Sequence, residues 1–365
     1  GKDCSTAEIN PLFSDSVYID RLSRIPAIME MPYNDIIRKF IDMYAGRLRN
    51  QVSFMLSACN FYMPIFEEAL DAYGLPLELR YLPIIESALN PSAVSRAGAS
   101  GLWQFMIGTG KIYGLESNSL VDERRDPIKA TWAAARYLKE MYDIYGDWNL
   151  VIAAYNCGPG TINKAIRRAN GETDYWKIYN YLPKETRGYV PAFIAANYVM
   201  TYYCDHNICP METNIPASTD TVQVNKNLHF EQIADLCNVP LDQIKSLNPQ
   251  YKKQLIPGDS KPYTLRLPID AISTFIDKQD TIYTHRADEL FRNRKTVAVK
   301  DITPATRKTT SAVAGKGNLT YYTIKSGDTL STIARKYGVT IKDIQRWNGM
   351  SSTKIAAGKR LKIYK

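Results

Sequence analysis

Residues 82–106 have the sequence LPIIESALNPSAVSRAGASGLWQFM. One carboxylate, Glu86, lies in an apolar helical run, and a loop of small residues follows it and ends at Trp103 and Gln104. A carboxyl group in an apolar setting keeps its proton near neutral pH, with a pKa of about 6 in a well-studied case. Since a lone glutamate in a helical core is more often a capping or pairing group, the assignment of Glu86 as an acid depends on the rest of the chain.

The composition indicates a globular protein. With 365 residues, of which 45% are hydrophobic, the chain has room for two or three domains and at least one sizeable core. Its apolar runs are shorter than the roughly 18–20 residues that span a bilayer, so we expect no transmembrane helix. The opening GKDCSTAEIN lacks the features of an export signal, which indicates a mature or trimmed form. Cys4 is then a candidate for lipid attachment.

The six cysteines and three histidines have no metal-site spacing, and we predict no metal and no cofactor. Two alternatives remain open for Cys204 and Cys209. They form a small disulfide in an oxidising compartment, or they fill apolar space as free thiols.

The charge is concentrated at the C-terminal end. Residues 318–365 contain ten Lys or Arg against Asp328 and Asp343, so this segment carries +8 of the net charge of +9. Basic charge by itself is compatible with nucleic acid, a membrane surface or an anionic polymer as the partner.

The first half of the chain has helical periodicity. Apolar side chains recur every three or four residues over 31–73, which predicts two amphipathic helices. Asp126 and Pro127 are typical of a helix start, and the helix that follows ends at a glycine. Further helices are predicted over 148–155, 161–169 and 191–203. The sequence therefore indicates an all-helical domain over 31–210, preceded by an N-terminal extension, residues 1–30.

An internal repeat follows this domain. Residues 222–248 and 322–348 align at a constant offset of 100, with matching apolar positions such as Ile233 and Ile333. A repeat of this kind indicates two copies of one small unit. Each copy has the pattern strand, helix, helix, strand.

The predicted fold is therefore mainly α, with a helical domain followed by two small α+β modules of the βααβ type. We place the modules at residues 221–268 and 319–365, with a linker at 269–317. Residues 285–317 are poor in apolar side chains and rich in Lys, Arg, Thr and Ala, which is typical of a flexible tether.

The C-terminal copy resembles a LysM module over residues 320–364. Members of that family bind glycans that contain N-acetylglucosamine. The resemblance implies that two loops contact the sugar, formed by Ser326, Gly327, Asp328, Thr329, Ile355, Ala356, Ala357 and Gly358. The first copy has Asn-Lys-Asn-Leu at 225–228 instead of Ser-Gly-Asp-Thr, so sugar binding by that copy stays open.

Four motifs in the helical domain bear on Glu86. They are ESALNP, GASGLWQFM, AAYNCGPG and ETRGYV, within residues 75–205. In this order they resemble the lytic transglycosylases of peptidoglycan, a family with a goose-lysozyme-like helical fold. The resemblance implies that Glu86 is the catalytic acid and base. It also implies orienting or substrate-binding roles for Ser87, Ser95, Gln104, Tyr155, Asn156 and Tyr189. Trp103 stands where many relatives have Met. Its flat indole suits either the core or a sugar-stacking surface, and we favour the sugar groove.

Segments 82–106 and 149–160 contain Glu86 and no other Asp or Glu. Ordinary glycosidases use two carboxylates. The resemblance implies a reaction without water, in which the same glutamate protonates the leaving oxygen and then deprotonates the muramic 6-hydroxyl. The product is a 1,6-anhydro-N-acetylmuramoyl end.

Two other functions remain open. A hydrolytic muramidase on the same fold would need a second carboxylate, for which Asp122, Glu123 and Asp126 are candidates. A wall-binding protein with an inactive helical domain is the other. In all cases we expect peptidoglycan glycan strands as the partner, no nucleic acid, a monomer, and export to the cell envelope. Membrane contact is expected only if Cys4 is lipidated, which would make the protein an outer-membrane lipoprotein rather than a free periplasmic one.

Overall fold

The computed structural model describes residues 9–292, 319–350 and 352–364. Two compact units are present, Gly1–Ile302 and Thr303–Lys365, and each is described by itself. The first unit contains a helical domain and a small module, called the middle module. The second contains the terminal module.

The helical domain is built mainly of helices, with longer connections between α4 and α5 and between α5 and α6. Its helices are α1 Asp15–Ser23, α2 Asp35–Ala45, α3 Arg49–Ala72, α4 Leu82–Ser87, α5 Ile107–Ile112, α6 Pro127–Tyr145, α7 Trp148–Cys157, α8 Pro159–Arg168, α9 Tyr175–Ile178, α10 Lys184–Arg187 and α11 Tyr189–Tyr202. Short 3₁₀ turns lie at Leu77–Tyr81, Glu123–Arg125, Tyr179–Tyr181 and Tyr203–His206.

Local sequence explains where these helices begin and end. Asp126 caps α6 by accepting hydrogen bonds from the backbone N–H groups of Ile128 and Lys129, and Pro127 occupies the first turn. Gly146 ends the same helix in the left-handed conformation, with φ of 62°. The predicted start and end of α6 are therefore confirmed.

Helix α11 forms the centre of the domain. Almost every side chain from Tyr189 to Met200 is buried, because other helices surround it on all sides. It packs against α2, α4 and α7, while α6 packs against α3 and α7. Residues placed in the N-terminal extension also belong to this core, since Tyr18, Leu22 and Met29 are buried in it. The boundary at residue 31 is wrong for that reason.

The middle module has the predicted strand, helix, helix, strand pattern, with a short extra pair of strands. Its elements are β1 Thr219–Val224, β2 Asn227–His229, α12 Phe230–Cys237, α13 Leu241–Leu247, β3 Leu255–Pro257 and β4 Tyr263–Pro268. Strand β1 pairs antiparallel with β4, from Thr219 opposite Pro268 to Val224 opposite Tyr263. Strand β2 pairs antiparallel with β3.

The predicted linker does not begin at residue 269. Three helices follow β4 directly, α14 Ile269–Asp277, α15 Gln279–Thr284 and α16 Ala287–Leu290. Ala271, Phe275 and Ile282 are buried in the core of the middle module, so α14 and α15 are part of it. The remainder of the predicted tether, 293–318, lies outside the described residues.

The terminal module repeats the pattern with β5 Leu319–Thr323, α17 Leu330–Tyr337, α18 Ile341–Trp347 and β6 Arg360–Tyr364. Strands β5 and β6 pair antiparallel, and Thr329 and Thr340 cap the two helices through side-chain hydrogen bonds. The predicted fold class, mainly α with two small α+β modules, is confirmed. In the described ranges, none of the helices combines the length and the apolar content needed to cross a bilayer.

The states of Cys204 and Cys209 exclude a disulfide between these two residues. Cys209 is disulfide-bonded, whereas Cys204 is a free thiol, so these two residues do not pair with each other. Cys157 is half-buried, and burial raises the pKa of its thiol. A thiol in this state is a poor nucleophile.

Candidate active site

Glu86 lies in the last turn of α4, a helix of six residues. The helix stops because Ala88 and Leu89 adopt left-handed conformations, with φ of 52° and 58°. Their N–H groups donate back to the carbonyls of Ile84 and Pro83. Left-handed backbone is costly for residues other than glycine and tends to occur at functional sites. The stop frees the Glu86 side chain from the interior of a longer helix.

The Glu86 carboxyl accepts a hydrogen bond from the Tyr189 hydroxyl at the start of α11. Burial raises the pKa of Glu86 to about 8. The residue as a whole keeps some exposure to solvent, so the carboxyl is desolvated yet accessible. At neutral pH the group therefore holds its proton, as a general acid requires.

The segment that follows α4, residues 93–105, is called the site loop. Short backbone pairings join Val94 to Ser100 and Ser100 to Phe105, which folds the loop back on itself. The Ser95 hydroxyl oxygen accepts from the N–H of Ala99 at 3.0 Å and stays partly exposed.

Gln104 ends the site loop in a left-handed conformation, with φ of 51°. Its side-chain amide donates to the carbonyls of Gly101 at 2.8 Å and Ala93 at 3.2 Å. The amide thus holds the loop closed and stays partly exposed to solvent.

Ser87 and Tyr155 attach the site loop to the helices around Glu86. The Ser87 hydroxyl lies 2.9 Å from the carbonyl oxygen of Leu102, and the Tyr155 hydroxyl donates to the carbonyl of Trp103 at 2.6 Å. Burial, and after it the charge of nearby Glu86, raises the pKa of Tyr155 well above its ordinary value. Ser87 was expected to orient Glu86, but its hydrogen bonds go to backbone carbonyls.

Asn156 is exposed beside Tyr155 at the end of α7, where Gly158 (φ of 82°) and Pro159 turn the chain into α8. Its amide oxygen accepts from the Thr186 hydroxyl at 3.0 Å, so the side chain has a fixed orientation. Thr186 lies within the ETRGYV motif, but the sequence assigned it no role, because only the fold brings α10 beside the end of α7.

Trp103 does not face a groove. Its side chain is fully buried, its ring packs edge-on against Phe66, and its indole N–H donates to the Thr131 hydroxyl at 2.9 Å. The expectation of a sugar-stacking role is therefore corrected: the indole is a core side chain whose polar atom is satisfied inside. Only its backbone carbonyl takes part in the site.

Residues 63–178 match the family described as Transglycosylase SLT domain. Over 339 residues the chain is 32% identical to membrane-bound lytic murein transglycosylase D of Escherichia coli strain K12. The matched region covers 92% of this chain and 70% of that protein. The chain belongs to the lytic murein transglycosylase D family. The resemblance inferred from the four motifs is confirmed at this level.

Other lytic transglycosylases match over shorter lengths. The soluble lytic murein transglycosylase of Escherichia coli strain K12 is 33% identical over 124 residues, 32% of this chain and 19% of that protein. The crystal structure of the 70 kDa soluble lytic transglycosylase from Escherichia coli aligns with 28% identity and a TM-score of 0.35, over 42% of this chain and 26% of that one. Residues 218–284 match the family described as Lytic transglycosylase MltD, LysM-like domain, and residues 322–363 match the LysM domain family.

In the terminal module, the two predicted sugar loops lie at one end of the sheet. The N–H of Gly358 donates to the carbonyl of Ile324, which joins the second loop to the strand that leads into the first. Asp328 accepts from the Tyr322 hydroxyl and from the N–H of Lys325. Both loops are largely exposed, including Ser326, Gly327, Ala356, Ala357 and Gly358.

The corresponding loops of the middle module are in contact with each other. A Cβ on Gly258 would lie 2.3 Å from the carbonyl oxygen of Lys226, so the two backbones touch. Asn227 adds two hydrogen bonds to the Asp259 carboxylate. At the aligned Gly358 of the terminal module, a Cβ would meet nothing within 4 Å. A side chain at the aligned glycine therefore has open space in the terminal module and none in the middle module.

Proposed function

We propose that this chain cleaves the β-1,4 bond between N-acetylmuramic acid and N-acetylglucosamine in peptidoglycan without consuming water. The observation that carries the proposal is the state of Glu86. Its carboxyl is desolvated, has a pKa of about 8 and accepts a hydrogen bond from the Tyr189 hydroxyl. The membership of the lytic murein transglycosylase D family supports the same substrate.

The reaction needs one group that first gives and then takes a proton. Protonated Glu86 donates its proton to the glycosidic oxygen, the bond from that oxygen to C1 of the muramic sugar breaks, and positive charge develops at C1. The Glu86 carboxylate then removes the proton from the 6-hydroxyl, whose oxygen bonds to C1. The proton from the 6-hydroxyl restores Glu86 to its acid form, the first proton stays on the leaving sugar, and the product is a 1,6-anhydro end.

Between these steps Glu86 is charged in an apolar setting, which is unfavourable without hydrogen-bond donors. The Tyr189 hydroxyl supplies such a donor. The acetamido group of the substrate is a further source of stabilisation at C1. Ser95, Gln104 and Asn156 are proposed to contact the sugars, whereas Ser87 and Tyr155 position the site loop.

A hydrolytic reaction would need a second carboxylate that is free to hold a water molecule. The three sequence candidates have structural partners instead. Asp122 pairs with Arg124, Glu123 pairs with Lys129, and Asp126 caps α6. Because these carboxylates are already held by ion pairs or by a helix cap, the contacts favour the reaction without water over hydrolysis.

The terminal module is proposed to bind N-acetylglucosamine-containing strands through its two exposed loops. Its charge of +8 adds electrostatic attraction to an anionic wall, and salt weakens this attraction by screening. We accordingly propose action in the cell envelope, as a monomer. No metal, cofactor or nucleic acid has a place in this proposal.

Mass spectrometry of the fragments released from purified peptidoglycan tests the function. We expect anhydromuramoyl ends, each lighter by one water than a hydrolytic product. Glu86→Gln keeps the shape of the side chain and removes the transferable proton, so it should release none. Reducing ends from the parent would instead establish a muramidase, and release by Glu86→Gln would assign the acid role to another residue.

A further inference from the structure

The site loop is held from one side by Ser87 and Tyr155 and from the other by an arginine. Arg124 is buried, with 5% of its surface exposed. One of its terminal nitrogens donates to the carbonyls of Gly98 at 2.8 Å and Phe105 at 2.9 Å. The neighbouring Arg125 donates to the Ser100 hydroxyl at 3.0 Å. These bonds hold the middle of the site loop and its C-terminal end.

Arg124 is itself held rigidly by Asp122. The guanidinium donates to both carboxylate oxygens, at 2.9 Å and 2.8 Å. Burial by itself raises the pKa of Asp122, but hydrogen bonds and charge from Arg124 outweigh it and lower that pKa. A buried two-pronged pair of this kind has little freedom to rotate.

The backbone of Arg124 also contacts the site loop. Gly101 has φ of +89°, and a Cβ at this position would lie 1.8 Å from the carbonyl oxygen of Arg124. Only glycine allows this approach. The backbones of the site loop and Arg124 are therefore in direct contact.

The segment that carries Asp122 and Arg124, residues 116–126, is called the clamp. Its middle part is attached to the middle module rather than to the helical domain. The N–H of Asp122 donates to the carbonyl of Gln250 at 2.8 Å, and the N–H of Lys252 donates to the carbonyl of Leu120 at 2.8 Å. Leu120 and Val121 are buried in the apolar core of the middle module.

Side chains of the middle module strengthen this attachment. The Glu116 carboxylate accepts from the Tyr263 hydroxyl at 2.9 Å and pairs with the Lys261 ammonium at 2.5 Å. The Lys252 ammonium donates to the carbonyl of Asn118 at 2.8 Å. A continuous set of contacts thus runs from strand β4 through the clamp to the site loop.

We propose that the middle module is a structural part of the active site, in which it positions the site loop through the clamp and Arg124. Arg124 is accordingly a positioning residue. The kinetic consequence rests on the proposed function, whereas the contacts do not. The middle module thus has a structural role, although its own loops, the counterparts of the sugar loops of the terminal module, contact each other.

Two variants test the proposal in the full chain. Arg124→Lys keeps the positive charge and removes the paired donation to Gly98 and Phe105. The double variant Lys261→Met with Tyr263→Phe changes only the middle module and weakens its hold on Glu116. Lys245→Met is the matched control, because Lys245 pairs within the same module with Asp242, away from the clamp.

Hydrogen exchange of peptides covering 93–106 is the first measurement, and kcat and KM on soluble glycan strands are the second. We expect exchange of this segment to rise by about fivefold or more in both variants, since the lost interactions restrain it. For Arg124→Lys we expect kcat/KM to fall about ten- to a hundredfold with a raised KM, because the sugar-contacting loop is misplaced. The control should match the parent in both.

Parental exchange of 93–106 in the double variant would overturn the proposal, even if its melting temperature fell. Lower stability of Arg124→Lys with unchanged kcat/KM per folded molecule would overturn it as well. If Arg124→Lys does not fold, the double variant decides. Absence of anhydro product from the parent would refute the proposed function alone, since the exchange comparison needs no turnover.

Discussion

Replacing Glu86 with glutamine should stabilise the protein at pH 8 while it abolishes the reaction. Burial raises the pKa of the folded-state carboxyl from 4.5 to about 8. Between these values the folded protein keeps a proton that the unfolded chain has released. The unfolding free energy of the parent therefore falls as pH rises, by about 1.4 kcal/mol per pH unit, and the loss is complete above pH 8.

The size of the effect follows from the width of that window. From pH 4.5 to 8 the loss approaches about 5 kcal/mol. Glutamine is neutral at every pH and has nearly the same shape, so it avoids this loss. The difference in unfolding free energy between variant and parent should be within about 1 kcal/mol at pH 4.5 and should grow steadily to pH 8.

Denaturant unfolding of both proteins at several values between pH 4.5 and 8.5 measures the difference. Glu68→Gln is the matched control, because Glu68 is exposed on α3 in the same domain. Its difference from the parent should be small and nearly independent of pH. If Glu86→Gln gave a difference that did not change with pH, the carboxyl would not be desolvated, and the account of Glu86 as an acid would be wrong.

Three other changes have expected outcomes. Tyr189→Phe removes the hydroxyl donated to Glu86 and should lower turnover about ten- to a hundredfold; Tyr198→Phe, on the same helix, should lower melting temperature and leave turnover per folded molecule unchanged. Gly101→Ala should cost at least about 3 kcal/mol of unfolding free energy in denaturant titrations, because the methyl group overlaps the Arg124 carbonyl at a positive φ. Deleting 303–365 should weaken pull-down by sacculi, most clearly at low salt, and leave cleavage of soluble strands within about twofold; equal pull-down would contradict an anchoring role.

Local sequence signals predicted much of the helical domain. The cap at Asp126, the proline at Pro127 and the glycine stop at Gly146 depend on neighbouring residues only, so they are visible in sequence. The repeat likewise predicted the strand, helix, helix, strand pattern of both modules. Glu86 was identified because its motif is local as well.

Features that depend on distant partners were not predictable. Trp103 was assigned to a groove because an aromatic residue in a motif gives the same sequence pattern in a groove and in a core. Its partners Phe66 and Thr131, which show that it lies in the core, come from other helices. Arg124 gave no signal, since its acceptors lie 19 and 26 residues away in the site loop. The helices after residue 269 were missed for a similar reason. Their apolar faces are buried only by contact with the core of the middle module, which local sequence does not show.

The central claim is that Glu86 performs the reaction without water. Digestion of purified sacculi in water labelled with ¹⁸O, followed by mass spectrometry of the new glycan ends, tests this claim most directly. The account predicts anhydromuramoyl ends that carry no label, and no such ends with Glu86→Gln. Label at C1 of reducing muramoyl ends would show that water attacks the sugar, and would contradict the account.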